Sequence, residues 1–449
     1  MSKARTAAFH ALRSIADGRA DLPTALARSR APLTDLRDRA LAMDIVTGTV
    51  RWQRALDHLV EHFTARPLAR LDDEIVTILR LSLYQLLHLT RVPAAAVVDD
   101  AVDLARLARK PSASGFVNGV LRTVLRQRHR LPLPPRPDDG SARADAISYL
   151  GVTQSHPDWL VTRWLDRHGF ETAERWVRFN NEAAPLTLRA NLLSDSRDAL
   201  QARLADAGVE TEPTAFAPDG LIVTSGNPLS QAPDAGFVVQ DEASQIVALT
   251  VDARPGHATL DLCAAPGGKA TALAARQRGE GVVVACDVRG RRMRLLRDTV
   301  RASRAPNVRL VHVDTRAAVP FRPRSFDRVL VDAPCSGLGT LRRDPDIKWR
   351  RREDELAELA GRQQTLLVRA AEAVKPSGRL VYATCSSEPE ENEGVVLHFL
   401  NSHPEFTLVD LRQTLDSTLQ LLVDDRGFLQ TTPLHGLEGF FAAALERRA

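Results

Sequence analysis

The sequence predicts an α/β chain: an all-helical module, a small α+β unit, then a domain on a mostly parallel sheet. Three observations predict it. Apolar residues recur at helical spacing through residues 1–130, a Pro-rich stretch follows, and strand and helix patterns alternate from residue 236. At 449 residues the chain exceeds one ordinary core, and two or three domains are expected.

In the first module Ala7, Phe9, Leu12 and Ile15 share one helical face, and Gly18 closes the segment. Further helices are expected near 34–48, 51–63, 72–88, 93–108 and 112–128, separated by Pro67, Arg91-Val92-Pro93 and Lys110-Pro111-Ser112. Residues 131–144, opening Leu131-Pro132-Leu133-Pro134-Pro135, read as a linker with no packable face. Residues 145–235 read as an accessory RNA-binding unit. Trp159, Leu160 and Trp164 mark one helix and Phe170–Phe179 a second, before a strand at 186–191, a helix at 195–206 and a strand at 221–223.

The last domain, 236–449, alternates. Strands are expected at 259–262, 282–286, 308–313, 328–331 and 379–384, with helices at 268–278, 290–303, 354–374 and 390–402. From Phe406 to Phe441 the pattern suggests antiparallel strands added to one edge.

No apolar run reaches the 18 residues a membrane helix needs, and the first residues do not form a signal peptide, so a soluble, cytoplasmic protein is expected; a monomer is expected as well. Residues 1–130 carry 21 Lys/Arg against 13 Asp/Glu, although the whole chain is only +4. That asymmetry suits a nucleic-acid partner, and equally a solvated helical surface. The four cysteines form no CxxC pair and the 12 histidines no metal spacing, so neither zinc nor a disulfide framework is expected.

Asp261-Leu262-Cys263-Ala264-Ala265-Pro266-Gly267-Gly268-Lys269 is the strongest local signal. A strand ends in small residues and a helix opens behind them, so a ligand can approach free backbone amides. The spacing is neither a P-loop nor GxGxxG. Asp287, Asp314 and Asp332 end the next three strands, which puts four acids at the carboxyl edge where open α/β sheets bind ligands. Ribose hydroxyls suit Asp287 and an adenine amino group suits Asp314. A nucleoside bearing an amino acid fits best, and that describes S-adenosyl-L-methionine.

Cys335 and Cys385 lie at the same edge, in Asp332-Ala333-Pro334-Cys335-Ser336-Gly337 and Ala383-Thr384-Cys385-Ser386-Ser387. Two thiols over one cleft suggest covalent catalysis. Carbon 5 of cytosine is too electron-poor to attack a methyl sulfonium until a thiolate adds at carbon 6, and Asp332 is placed to contact ring N3. Spacing does not tell the two thiols apart. Cys286 reads as a small buried hydrophobe and Cys263 as part of the cofactor loop.

DLCAAPGGK (261–269), DAPCSG (332–337) and YATCSSEPEENE (382–393) resemble the signature motifs of the RNA cytosine-C5 methyltransferase family. The resemblance implies a Rossmann-like S-adenosylmethionine-dependent methyltransferase domain. It makes Cys385 the nucleophile and Cys335 the residue of product release. It gives cofactor binding to Cys263, Ala264, Ala265, Pro266, Gly267, Gly268, Lys269, Asp287, Asp314 and Asp332. Residues 1–130 resemble the NusB-like RNA-binding module, notably at Asp44–Arg51 and Phe116–Arg122. The combination is similar to the RsmB/Sun/Fmu group, which implies small-subunit (16S) ribosomal RNA as the partner. Ser387 departs from the group's pattern, where an apolar residue is usual.

Arg342, Arg343 and Lys348, followed by Arg350–Arg352, are candidate RNA-phosphate contacts, and Trp349 is a candidate stacking residue. Gln240–Ser244 is a candidate closure over the cofactor or base, and the arginines after Asp287 offer one that reaches the cofactor. Two other readings stand beside the main one: the same chemistry on transfer RNA or another ribosomal site, and an inert NusB-like assembly factor.

Overall fold

The computed structural model describes residues 1–138, 140–233, 236–313 and 320–449. It forms two compact units, Met1–Glu182 with Leu341–Arg351, and Ala183–Thr340 with Arg352–Ala449.

In the first unit the helices are Lys3–Ala16, Leu22–Arg30, Leu36–Arg51, Gln53–Thr64, Asp73–His88, Ala94–Leu107 and Ser114–Gln127. Side chains of Ser2, Asp21 and Asp35 cap the first three, accepting from backbone amides of the opening turns. Asp73–His88 is the central helix. Ile75, Ile78, Leu79, Leu81 and Leu83 are buried together with Ile45, Leu59, Leu104 and Leu121 of its neighbours. A short helix, Arg143–Ser148, and a long one, Asp158–Asn181 with a break at Gly169, complete the unit.

Two expectations are corrected here. The Pro-rich stretch has no helix or strand, yet it does pack: Leu131 and Leu133 rest on the helical core, and the carbonyl of Pro134 accepts from Thr153 Oγ1 at 2.6 Å. The segment 341–351, with its arginines and a lysine, reads as an RNA-facing loop but belongs to this helical unit. Lys348 is 1% exposed, and its Nζ donates to the Arg51 carbonyl at 2.9 Å. Trp349 Nε1 donates to the Val50 carbonyl at 2.7 Å, and Asp346 accepts from the Leu22 amide at 3.0 Å.

The second unit holds two sheets. The strands in chain order are β1 Thr187–Ala190, β2 Glu210–Pro213, β3 Gly220–Ser225, β4 Phe237–Val239, β5 Ala258–Asp261, β6 Val282–Asp287, β7 Val308–His312, β8 Phe326–Asp332, β9 Val374–Thr384, β10 Phe406–Val409, β11 Leu429–Thr431 and β12 Phe440–Arg447. The smaller sheet is antiparallel, ordered β2-β3-β1-β4. The larger is ordered β10-β12-β9-β8-β5-β6-β7, with β11 paired to β12. Its central pairs are parallel, and β12 joins β9 antiparallel, as the C-terminal pattern suggests.

Leu260, Val283, Val329 and Leu380 through Ala383 are wholly buried, which is the composition of strands covered on both faces. Between β5 and β8 the chain reverses its direction of travel across the sheet. That switch point leaves a crevice at the carboxyl ends of the strands.

Candidate active site

Apart from the 341–351 group, Arg352 and Gln240–Ser244, the predicted site residues described by the structure come from this carboxyl edge. After β5 the chain turns back under its neighbour, where the Ala264 amide donates to the Cys286 carbonyl at 2.8 Å. Gly267 has φ of +112°, and a Cβ there would stand 3.0 Å from Leu296 Cδ1, so both conformation and space require glycine. The helix Gly268–Arg276 opens directly behind it. Gln240 packs against Gly268, where a Cβ would lie 3.2 Å from Gln240 Cδ. Arg189 donates to Gln240 Oε1 at 2.7 Å and to Thr271 Oγ1 at 2.9 Å, which ties the small sheet to the loop.

Asp287 is buried at the end of β6 and accepts from the Arg289 amide at 3.1 Å. Of the arginines that follow, Arg292 is the one at the site, donating to the Ala265 carbonyl at 2.6 Å and lying 3.6 Å from Asp287. Asp314 lies outside the described residues. Asp261 is fully buried, and desolvation, reinforced by the charge of Asp332, pushes its carboxyl up to about 7.

Lys269 holds a position its place in the loop does not reveal. Its Nζ donates to Asp332 Oδ2 at 2.8 Å and lies 5.3 Å from the centre of the Phe440 ring. Burial works to lower this ammonium, but Asp332 and the charge of Cys385 outweigh it, and the group stays above the ordinary lysine value.

Parallel pairing of β8 with β9 sets Asp332 opposite Ala383. The loops that continue from these strands bring Cys335 Sγ within 3.3 Å of Cys385 Sγ. The hydrogen bond with Cys385, then burial, holds the Cys335 thiol well above the ordinary thiol range. Beyond Cys335, the Gly339 amide donates to the Cys385 carbonyl at 3.0 Å, and a Cβ on Gly339 would overlap the Gly439 carbonyl. The remaining cysteines are placed differently. Cys286 is 0% exposed and burial pushes it up to about 12, while Cys263 lines the loop and burial raises it well above the usual range.

The expected phosphate contacts need revision. Lys348 is sealed inside the helical unit, where burial lowers its ammonium well below the lysine range, so it cannot meet a phosphate. Arg342 stacks 4.3 Å over the Phe179 ring and pairs with Glu182 at 3.4 Å. Arg343 is half-buried, with interactions of its own. Trp349 is engaged with Val50 as a packing residue. Among the described residues no group of three metal-ligating side chains is gathered, and no helix is long and apolar enough to cross a membrane.

A doubly wound sheet with a small-residue loop and strand-end acids at its switch point defines the class of S-adenosylmethionine-dependent methyltransferases. Residues 248–446 match the family described as 16S rRNA methyltransferase RsmB/F, residues 2–126 the NusB family, and residues 156–230 the ferredoxin-like domain of the RsmF/B-like methyltransferases. The chain is 33% identical to a probable ribosomal RNA small subunit methyltransferase B of Bacillus subtilis, over 92% of this chain and 91% of that one. It is 34% identical to ribosomal RNA small subunit methyltransferase B of Pseudomonas putida, over 91% of each. The chain belongs to the 16S rRNA methyltransferase RsmB/F family. The crystal structure of PH0851 superposes with TM-score 0.81 at 27% identity, covering 100% of this chain and 99% of that one. A methyltransferase homolog from Pyrococcus horikoshii, 28% identical, matches with TM-score 0.58 over 68% of this chain and 100% of its own.

Proposed function

We propose that this protein methylates carbon 5 of a cytosine in 16S ribosomal RNA through a covalent bond from Cys385 to carbon 6. The observation that carries the reading is the pair of sulfurs 3.3 Å apart beside the Lys269–Asp332 pair. A single buried thiol reads as packing. Two in contact, next to a charged pair, read as nucleophilic chemistry.

The loop from Cys263 to Lys269, with Asp287, Asp314 and Asp332, is assigned to S-adenosylmethionine. The described part fits it: the helix Gly268–Arg276 opens directly behind the small-residue loop with no side-chain cap on its first amides, and a buried carboxylate ends β6. When bound, the cofactor supplies an electrophilic methyl group.

The protein's own residues carry the other steps. The Cys385 thiolate adds to carbon 6, and the ring electrons move toward N3, where the Lys269–Asp332 pair supplies a proton. Carbon 5 becomes the nucleophilic end of an enamine. After methylation the carbon 5 proton leaves to a base, N3 returns its proton to the Lys269–Asp332 pair, the carbon 5–carbon 6 double bond re-forms, and the Cys385–carbon 6 bond breaks with its electrons on sulfur. Cys335, kept as a thiol, donates a hydrogen bond to the departing Cys385 sulfur and so favours release.

The test is tritium release from 16S ribosomal RNA labelled at cytosine carbon 5, with transfer RNA as the competing substrate. One tritium released per methyl transferred, on the ribosomal RNA alone, is expected. Methyl transfer without tritium loss overturns the carbon 5 assignment, and preference for transfer RNA overturns the substrate.

A further inference from the structure

Glu391 is 0% exposed and lies in the turn Pro389–Glu391, six residues past Cys385. Its carboxylate gathers donors from both cysteine loops. Oε1 accepts from the Ser336 amide at 2.8 Å and from Gln363 Nε2 at 2.9 Å. Oε2 accepts from Ser336 Oγ at 2.5 Å and from Ser386 Oγ at 2.6 Å. Ser336 follows Cys335 and Ser386 follows Cys385, so one side chain grips the residue next to each thiol. Four donors match the four acceptor sites of an ionised carboxylate.

We propose that Glu391 is the positioning residue of the two-cysteine centre, clamping the Cys335 and Cys385 loops so that the release thiol stays against the nucleophile. The inference rests on the cysteine chemistry proposed above. Strand pairing alone does not secure this geometry. Cys335 lies three residues beyond β8, in a loop with no helix or strand, and the register of β8 and β9 ends at Asp332 and Ala383. The turn that carries Glu391 is held independently of its carboxylate: Tyr382 donates to the Glu391 carbonyl at 2.5 Å, and Asn392 donates to the Ser386 carbonyl at 3.0 Å. Substituting the side chain therefore loosens the clamp while leaving the turn in place.

Glu391→Gln is nearly the same size but removes the charge: its amide can donate to the two serine hydroxyls, which accept as well as donate, so charge-assisted bonds give way to weaker neutral ones and the clamp loosens. Ser336 makes two of the four contacts and Ser386 one, so Cys335 is displaced more than Cys385. Release suffers more than attack.

The experiment compares wild type, Glu391→Gln and the milder Ser336→Ala in the full chain. The first readout is oxidation by diamide, which takes two electrons and two protons from the thiols and leaves a Cys335–Cys385 disulfide, located by peptide mapping. The second is turnover on 16S ribosomal RNA, with the fraction of enzyme held as covalent adduct. Glu391→Gln is expected to slow disulfide formation about tenfold and lower kcat about 10–100-fold with KM nearly unchanged, as expected for misplacement near 1 Å. Adduct is expected to accumulate, and Ser336→Ala to fall between.

A purely structural weakening would lower the fraction of active enzyme without raising the adduct fraction. If Glu391→Gln does not fold, Ser336→Ala carries the test. Wild-type disulfide rates in the variants overturn the proposal, and so do slowed disulfides with wild-type turnover. Slowed disulfides and lowered turnover, in a protein that forms no adduct even with Cys335→Ala, keep the clamp and defeat the cysteine chemistry.

Discussion

At Asp261 burial and charge pull the same way. Its carboxyl is raised from the ordinary 3.8 to about 7 in the folded chain. Between those values the folded protein keeps a proton that the unfolded chain has released, so this group's contribution to stability is full below about 3.8 and is lost as pH rises through about 7. Asp261→Asn should remove that slope and make the protein more stable at pH 8, by an amount on the order of a few kcal/mol. Urea unfolding at pH 5 and pH 8 checks it, and an unchanged slope in the variant contradicts it.

Lys269 gives a second prediction at this scale. Lys269→Gln removes the ammonium from Asp332 and should lower single-turnover methylation about 100-fold, and it should also lower thermal stability, since Asp332 and Asp261 lose their counter-charge. The loop motif made Lys269 legible as a site residue, but not its direction. Asp332 and Cys385, which set that direction, lie 63 and more residues away in sequence.

Among elements, the strands of the large sheet were the most legible, because β6 and β9 carry apolar runs that only burial on both faces explains. β2 and β4 were not. Glu210–Pro213 is largely exposed and Phe237–Val239 is three residues long, so neither shows an alternation to read. The 341–351 segment was misread for a physical reason. Its basic residues resemble a solvated, phosphate-seeking loop, and only partners about 300 residues away, the Val50 and Arg51 carbonyls, reveal that Lys348 and Trp349 are packed.

Lys348→Met should therefore be close to neutral in stability, since it relieves a desolvated ammonium while keeping the volume. It should also leave the salt dependence of RNA binding unchanged, because a buried lysine releases no counterions. A shallower slope of log K against log salt would return Lys348 to the RNA surface. For the cofactor loop, Gly267→Ala is expected to cost about 1–3 kcal/mol and to weaken S-adenosylmethionine binding measured by calorimetry, since φ of +112° and the Leu296 contact both oppose a methyl group.

On the scale of the molecule, the chain order of domains differs from the order of packing. Residues 341–351 leave the second unit just after the Cys335 loop and complete the helical unit. A fragment starting at residue 183 would leave Trp349, Lys348 and Asp346 without the Val50, Arg51 and Leu22 groups they bond in the whole chain. Such a fragment should show red-shifted tryptophan emission and aggregate below the unfolding temperature of the full protein.

The domain types were readable from periodicity and motif, and the family matches agree with them. What periodicity could not supply was the adjacency of the two thiols. It depends on the parallel register that sets Asp332 beside Ala383 and on the loops beyond it.

That adjacency is the centre of the account. Its most direct test is denaturing electrophoresis of enzyme incubated with 16S ribosomal RNA and S-adenosylmethionine. Cys335→Ala should give a slow-migrating RNA–protein adduct, and Cys385→Ala should give neither adduct nor methylated RNA. Methylation at the wild-type rate by Cys385→Ala would contradict the account.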